Sequence, residues 1–149
     1  MASTLQLDIV TPDRQVLSRR VASVTASGVD GDFSILPHHI PFLTALQVGS
    51  LHYHLDGAVH YVFVSGGFAE ITGERVLILA EAAELPEEID VARAMRARER
   101  ALARLQAAQQ EQLDHARAKA ALQRAISRLK IHGEAGLPGK MAAMGSHTR

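Results

Sequence analysis

The chain contains no cysteine. That excludes a disulfide framework, thiolate catalysis and cysteine zinc sites, and it suits a reducing compartment. No apolar run approaches the ~20 residues needed to span a bilayer. Val76-Leu-Ile-Leu-Ala80 is among the longest, so any membrane connection is expected to go through a partner. Met1-Ala-Ser-Thr4 has neither the basic start nor the apolar block of a signal peptide. There is no G-x-S-x-G, and no lysine follows Gly66-Gly67 as in a phosphate-binding loop. Ser65-Gly66-Gly67 is therefore expected to be a tight strand junction rather than a nucleophile or a phosphate cradle. Glycine and proline are both missing from Glu87 to His132, so nothing there breaks a helix.

What is present is ordinary globular composition: 149 residues, 47% hydrophobic and 21% charged. A chain of this length can bury roughly 70% of its unfolded surface without staples. Its zero net charge hides a split. Residues 1–92 hold four arginines against twelve Asp and Glu, whereas residues 93–130 hold ten Lys and Arg against three acids. Such asymmetry predicts two modules with different partners.

The first module has strand periodicity. Leu5, Leu7 and Ile9 alternate with Gln6 and Asp8. Val21-Ala-Ser-Val-Thr25, Ser50-Leu-His-Tyr-His54, Val59-His-Tyr-Val-Phe-Val64 and Arg75-Val-Leu-Ile-Leu79 are further short runs. Turn signals at Thr11-Pro12-Asp13, Asp56-Gly57 and Thr72-Gly73-Glu74 separate them, a spacing that predicts a sandwich or a barrel. Asp56-Gly57 is expected to close a hairpin, because glycine takes a positive φ at little cost.

The second module is rich in Ala, Arg, Gln and Leu, all strong helix formers. Met95, Leu102 and Leu105 recur at helical spacing, as do Leu122, Ile126 and Leu129. Asp90 starts the first helix behind acidic Glu87 and Glu88, which suit the positive helix end. Asp114 is a candidate N-cap for the second. Between them, Ala107-Ala-Gln-Gln-Glu-Gln112 does nothing to force a reversal. A hairpin and a nearly continuous helix are thus close in local free energy, and tertiary contacts choose between them. After His132, the breakers Gly133, Gly136, Pro138 and Gly139 predict a disordered tail over 132–149. Met144-Gly-Ser-His-Thr-Arg149 is either a natural end or a cloning remnant and is set aside.

His38-His39 and His52-Tyr-His54 are candidate metal ligands, with the second pair at strand spacing on one face. No Cys or carboxylate cluster flanks either pair, so surface or loop histidines are the expected reading and no metal is called for. The arginine-rich helices admit a solvated face, a nucleic-acid-binding hairpin, or docking on an acidic protein surface. No aromatic residue interleaves the arginines and the first module is acidic, which argues against nucleic acid.

Gly28-Val-Asp-Gly31-Asp-Phe-Ser-Ile-Leu-Pro37-His-His39-Ile-Pro41, followed by Val64-Ser-Gly-Gly-Phe68, resembles the signature of the epsilon subunits of F-type ATP synthases. In that family the two stretches are G-x-x-G-x-x-G-I-L-P-x-H-x-P and v-S-G-G-f. The resemblance extends from about Leu5 to about Ile131. Ser34 stands where the family usually has a third glycine, so a left-handed backbone there would carry a steric cost. The resemblance implies an all-β sandwich over 1–86 followed by an α-helical hairpin over 88–131. It implies no catalytic residue. It further implies a non-catalytic rotor subunit in the central stalk of a proton-translocating bacterial enzyme, peripheral on the cytoplasmic face of the cell membrane. The implied partners are the gamma subunit, the c-ring and the catalytic alpha/beta head, with Gly31, Asp32, Phe33 and His39 in a loop that touches the ring. Arg117, Lys119, Arg124 and Arg128 would be docking charge for an extended helix that restrains ATP hydrolysis.

Ile89-Asp90-Val-Ala-Arg93-Ala94 matches the I/L-D-x-x-R-A motif by which some bacterial members bind ATP. The resemblance adds Glu84, Arg100, Arg124 and Arg128 to that site. Arg93 and Arg100 are seven apart on one helix face, and Arg124 and Arg128 four apart on the next. Folded as a hairpin, they would surround a triphosphate, while Asp90 and Glu84 accept from the adenine amino group or a ribose hydroxyl. No cofactor is required on this reading, and ATP is a regulatory ligand. A free-standing ATP-sensing module and a basic hairpin that binds nucleic acid are the alternatives from other classes.

Overall fold

Alternating apolar residues pair into two five-stranded sheets in the computed structural model, which describes residues 3–107 and 112–135. The strands are β1 (Leu5–Val10), β2 (Gln15–Val21), β3 (Ser23–Gly28), β4 (Gly31–Ile35), β5 (Phe42–Ala45), β6 (Gly49–Leu55), β7 (Ala58–Ser65), β8 (Phe68–Thr72), β9 (Arg75–Leu79) and β10 (Ala82–Glu84). One sheet runs β2-β1-β9-β8-β5 and the other β10-β7-β6-β3-β4. Among the described residues only β1 and β9 pair in parallel, with Gln6 opposite Arg75 and Val10 opposite Leu79; the other paired strands are antiparallel. The open alternative of a barrel therefore gives way to a sandwich.

Leu5, Leu7 and Ile9 point into the core with Val24, Leu51, Val62, Ile71 and Ile78. Burying each such side chain contributes about 1.5–3 kcal/mol. Asp56 and Gly57 take φ of 51° and 78°, the two left-handed positions of a type I′ turn, between β6 and β7. Gly67 packs so closely on β9 that an added Cβ would lie 1.9 Å from the Leu79 carbonyl oxygen. Ser65-Gly66-Gly67 is thus the junction between β7 and β8.

The stretch expected as a loop from Gly31 to Pro41 is partly strand. Gly31, Asp32 and Phe33 lie on β4, and only His39 lies in the connection to β5. The cause is register: Val24 to Gly28 on β3 already present a ladder, and β4 completes it. Ser34 sits within β4, outside the residues with positive φ, so the expected steric cost does not arise. Its hydroxyl instead pairs with Thr25 Oγ1 at 2.8 Å.

A 3₁₀ turn at Pro86–Glu88 leads into α1 (Val91–Ala107), and α2 (Gln112–Ala135) packs back against it. Asp90 caps α1, its Oδ1 accepting from Arg93 N at 3.0 Å. Asp114 does not cap α2: the helix begins at Gln112, and Asp114 falls in its first turn. Nor does the chain stop being helical at His132. α2 runs through Gly133 to Ala135, because one glycine lowers helix propensity by only about 1 kcal/mol. The turn residues 108–111 and the tail beyond Ala135 fall outside the described residues.

A second small core ties the helices to the sandwich. Val59, Tyr61 and Phe63 on the outer face of β7 meet Ile89 and Ile131. The seam between the helices is different in kind. Ala94, Ala101, Ala118 and Ala125 are only 1–3% exposed, while Met95, Leu102 and Ile126 remain 44–47% exposed. The hairpin buries its small side chains most deeply, half-buries Leu105, Leu122 and Leu129, and leaves Met95, Leu102 and Ile126 in water. No helix among the described residues is long and apolar enough to cross a membrane.

Candidate anion-binding cleft

The end of β10, the 3₁₀ turn, α1 as far as Arg100 and the middle of α2 enclose a cleft of about 290 Å³. Glu84, Asp90, Arg93, Arg100, Arg124 and Arg128, all singled out from the sequence, line it together. Glu88, Ala94, Ala97 and Ala121 complete the lining. The alanines make the room, since a larger side chain at any of them would fill the space that the arginines surround. Glu88 was missed because nothing in the motif marks it beyond its place next to Ile89.

Ile89 is placed elsewhere. Its side chain is buried in the second core with Phe63 and Ile131 and does not line the cleft. An apolar side chain next to a β-sandwich face gains more from burial there than from a polar cleft. Its part is to pin the turn that carries Glu88 and Asp90.

The charges in the cleft are unevenly satisfied. Glu84 takes two hydrogen bonds from Arg128, each 3.0 Å, and Arg128 also lies 4.3 Å over the Phe63 ring. Glu88 accepts from Leu85 N at 3.1 Å through Oε1 and from Arg14 through Oε2. Asp90 is engaged as the helix cap. All three carboxylates are therefore occupied. Arg93, Arg100 and Arg124 take no part in any ion pair among the described residues. Three uncompensated guanidiniums, drawn from two helices, leave the cleft with positive charge to spare.

The residues expected as docking charge separate. Arg124 and Arg128 face the cleft, and Arg128 is already paired. Arg117 lies near the far end of the hairpin with Arg104 and Asp114, and Lys119 is exposed. Along the β4–β5 region the rings of Phe33, Phe42 and His39 follow one another, with centroids 5.7 and 6.3 Å apart. Leu36, Ile40 and Leu43 are exposed beside them. His52 and His54 share a face, their rings 6.1 Å apart. Among the described residues no group of three or more metal-ligating side chains gathers.

Residues 4–86 match the family of the ATP synthase delta/epsilon chain, beta-sandwich domain, and residues 87–133 match its long alpha-helix domain. The chain is 54% identical over 105 residues to the ATP synthase epsilon chain of Nitratidesulfovibrio vulgaris (strain DP4), covering 70% of this chain and 78% of that one. It is 52% identical over 110 residues to the ATP synthase epsilon chain of Lawsonia intracellularis, covering 74% and 83%. A chain in the mitochondrial ATP synthase of Euglena gracilis, solved as OSCP/F1/c-ring, superposes with a TM-score of 0.72 at 25% identity, over 83% of this chain and 78% of that one. With both modules matched and the sandwich and hairpin in place, the chain belongs to the epsilon chains of the F-type ATP synthases, the non-catalytic subunits of the central stalk.

Proposed function

We propose that this chain works within the F1/c-ring assembly of a proton-translocating ATP synthase, as a rotor subunit that also restrains ATP hydrolysis. In this reading the sandwich joins the gamma subunit to the c-ring, on the cytoplasmic face of the cell membrane. The β4–β5 region, with exposed Leu36, Ile40 and Leu43 beside His39 and Asp32, offers the surface for the ring. Contact with the membrane goes through partners.

The observation that carries the regulatory part is the make-up of the hairpin. Alanine fills the most buried seam positions, while Met95, Leu102 and Ile126 stay 44–47% exposed, so closing the hairpin leaves much of its large apolar surface in water. An extended α2 would take Ile126 and its arginines to the alpha/beta head, where acidic surfaces attract positive charge. Arg93 and Arg100 meet Arg124 only when α2 folds back. A polyanion held by all three therefore favours the hairpin over the extended form. ATP, with its triphosphate, is that ligand on this reading, and it acts as a regulator rather than as a required cofactor.

The test is calorimetry on the isolated subunit with ATP and ADP. ATP is expected to bind more tightly than ADP, and Arg93→Ala to weaken ATP by more than tenfold while circular dichroism keeps the β signal. In the assembled complex, replacing Arg117, Lys119, Arg124 and Arg128 with alanine is expected to raise ATP hydrolysis, as is high salt. No heat or thermal shift at millimolar ATP overturns the ligand. Hydrolysis that ignores both salt and the substitutions overturns the electrostatic docking.

A further inference from the structure

We infer that Arg14, on the turn between β1 and β2, sets the anion affinity of the helical cleft by neutralising Glu88. This rests on the anion-site reading above and adds a positioning residue from a distant part of the chain.

The argument begins with charge. Glu88 lines the cleft beside Arg93, Arg100 and Arg124. An uncompensated carboxylate there opposes any anion entering. Its position is fixed, because Oε1 accepts from Leu85 N in the 3₁₀ turn and cannot swing away without losing that bond. Arg14 supplies the compensation across 74 residues of sequence, donating to Oε2. Of the three carboxylates in the cleft, Glu84 is neutralised from within it by Arg128, and Asp90 is spent on the α1 cap. Glu88 alone is neutralised from outside the helices.

The turn that presents Arg14 is held by its backbone. Thr11 N donates to the Arg14 carbonyl at 2.9 Å, and Arg14 N donates to Thr11 Oγ1 at 3.3 Å. The guanidinium is thus free of structural duty in the turn, and its ion pair with Glu88 is its one charged partner among the described residues. Side-chain exposures of 48% and 31% place the pair at the rim, where the solvent screens part of the effect.

Charge neutralisation makes a prediction of sign that a purely structural role does not. Arg14→Ala leaves Glu88 unopposed and is expected to weaken ATP binding by about two- to five-fold. Glu88→Gln leaves Arg14 as an added positive charge and is expected to strengthen it by a similar factor; glutamine keeps the bond to Leu85 N. The double variant is expected to return close to the wild type, and Arg14→Lys to rescue most of the loss. Calorimetry with ATP and with inorganic tripolyphosphate reads all four. Opposite signs for the two single variants uphold the inference. Weakening by both overturns it and leaves the pair as a structural tie. If tripolyphosphate binds with opposite signs while ATP does not bind, the charge pair stands and the ATP reading falls. If neither binds, both fall.

Discussion

Arg128 and Glu84 hold each other through two parallel hydrogen bonds of 3.0 Å, Nε to Oε2 and a terminal nitrogen to Oε1. The fork joins α2 to β10, with the Phe63 ring beneath the guanidinium. Both side chains are less than a third exposed. Arg128→Ala is expected to cost about 1–2 kcal/mol, between the values for surface and buried pairs. The loss should fall on α2: faster amide exchange over 112–135 with an unchanged sandwich is the expected record. Uniform loss across both modules would show that the fork supports the whole chain.

Asp8 gives the acid limb of stability. The hydrogen bond from Ser18 at 2.6 Å does most to hold its carboxyl below the ordinary range; Gln6 and Arg75 add to it, against the opposing effect of burial. A lowered folded-state pKa means stability that is complete above the unfolded value of about 3.9 and is lost as the pH falls through the folded one. Urea melts from pH 7 to pH 2 should show this fall. Asp8→Asn is expected to cost about 1–2 kcal/mol at pH 7 and to flatten the acid limb. An unchanged slope would assign acid sensitivity to other carboxylates.

Gly67→Ala tests the junction of β7 and β8. The Cβ would meet the Leu79 carbonyl at 1.9 Å, and the backbone already sits at φ +103°. A loss of more than about 3 kcal/mol is expected by chemical denaturation. A small loss would mean that β8 and β9 separate easily.

Truncation after Glu88 divides the modules. The first core lies wholly within the sandwich, so a folded β-protein is expected. Val59, Tyr61 and Phe63 lose Ile89 and Ile131, so the product should be less stable and bind apolar dye. In the complex, ATP hydrolysis should rise. A product as stable as the full chain would remove the second core from the account.

Ala101→Leu tests the seam. Leucine cannot fit where alanine is 1% exposed, and overpacking costs about 1–3 kcal/mol. Because it pushes the helices apart, ATP affinity should fall as the hairpin loosens. Affinity equal to the wild type would separate the seam from the cleft.

How legible all this was depends on range. Asp56-Gly57 was plain because two adjacent residues determine a I′ turn. Asp90 was plain for the same reason, since its bond reaches only to Arg93. β2 escaped because Arg19-Arg20 interrupts its apolar pattern on the sheet edge. The family resemblance implies a loop at Gly31, Asp32 and Phe33, and β4 is not legible from it because pairing with β3 makes the strand. In the cleft, helical spacing pairs Arg93 with Arg100 and Arg124 with Arg128, but only the family resemblance joins the two pairs in advance. The Arg14–Glu88 contact was not legible, because no local pattern signals a bond between residues 74 apart. Ile89 was legible as motif and misread as lining, because its side chain answers to the sandwich face below.

The parallel pairing of β1 with β9 imposes an order of assembly. β1 waits at the start of the chain for a partner that ends at Leu79, and antiparallel β2 is its only earlier neighbour. Closing that long loop is slow, so the sheet that contains β1 completes only when nearly the whole sandwich has been made. The helices follow the sandwich in the chain and rest on local contacts, which form within about a microsecond. Their footing is the β7 face formed by Val59, Tyr61 and Phe63, which exists only while the sandwich does. Ile131, near the end of α2, docks on that face together with Ile89, so the sandwich clamps the hairpin at its open end, and the register of the two helices answers to a β-sheet as well as to their own seam.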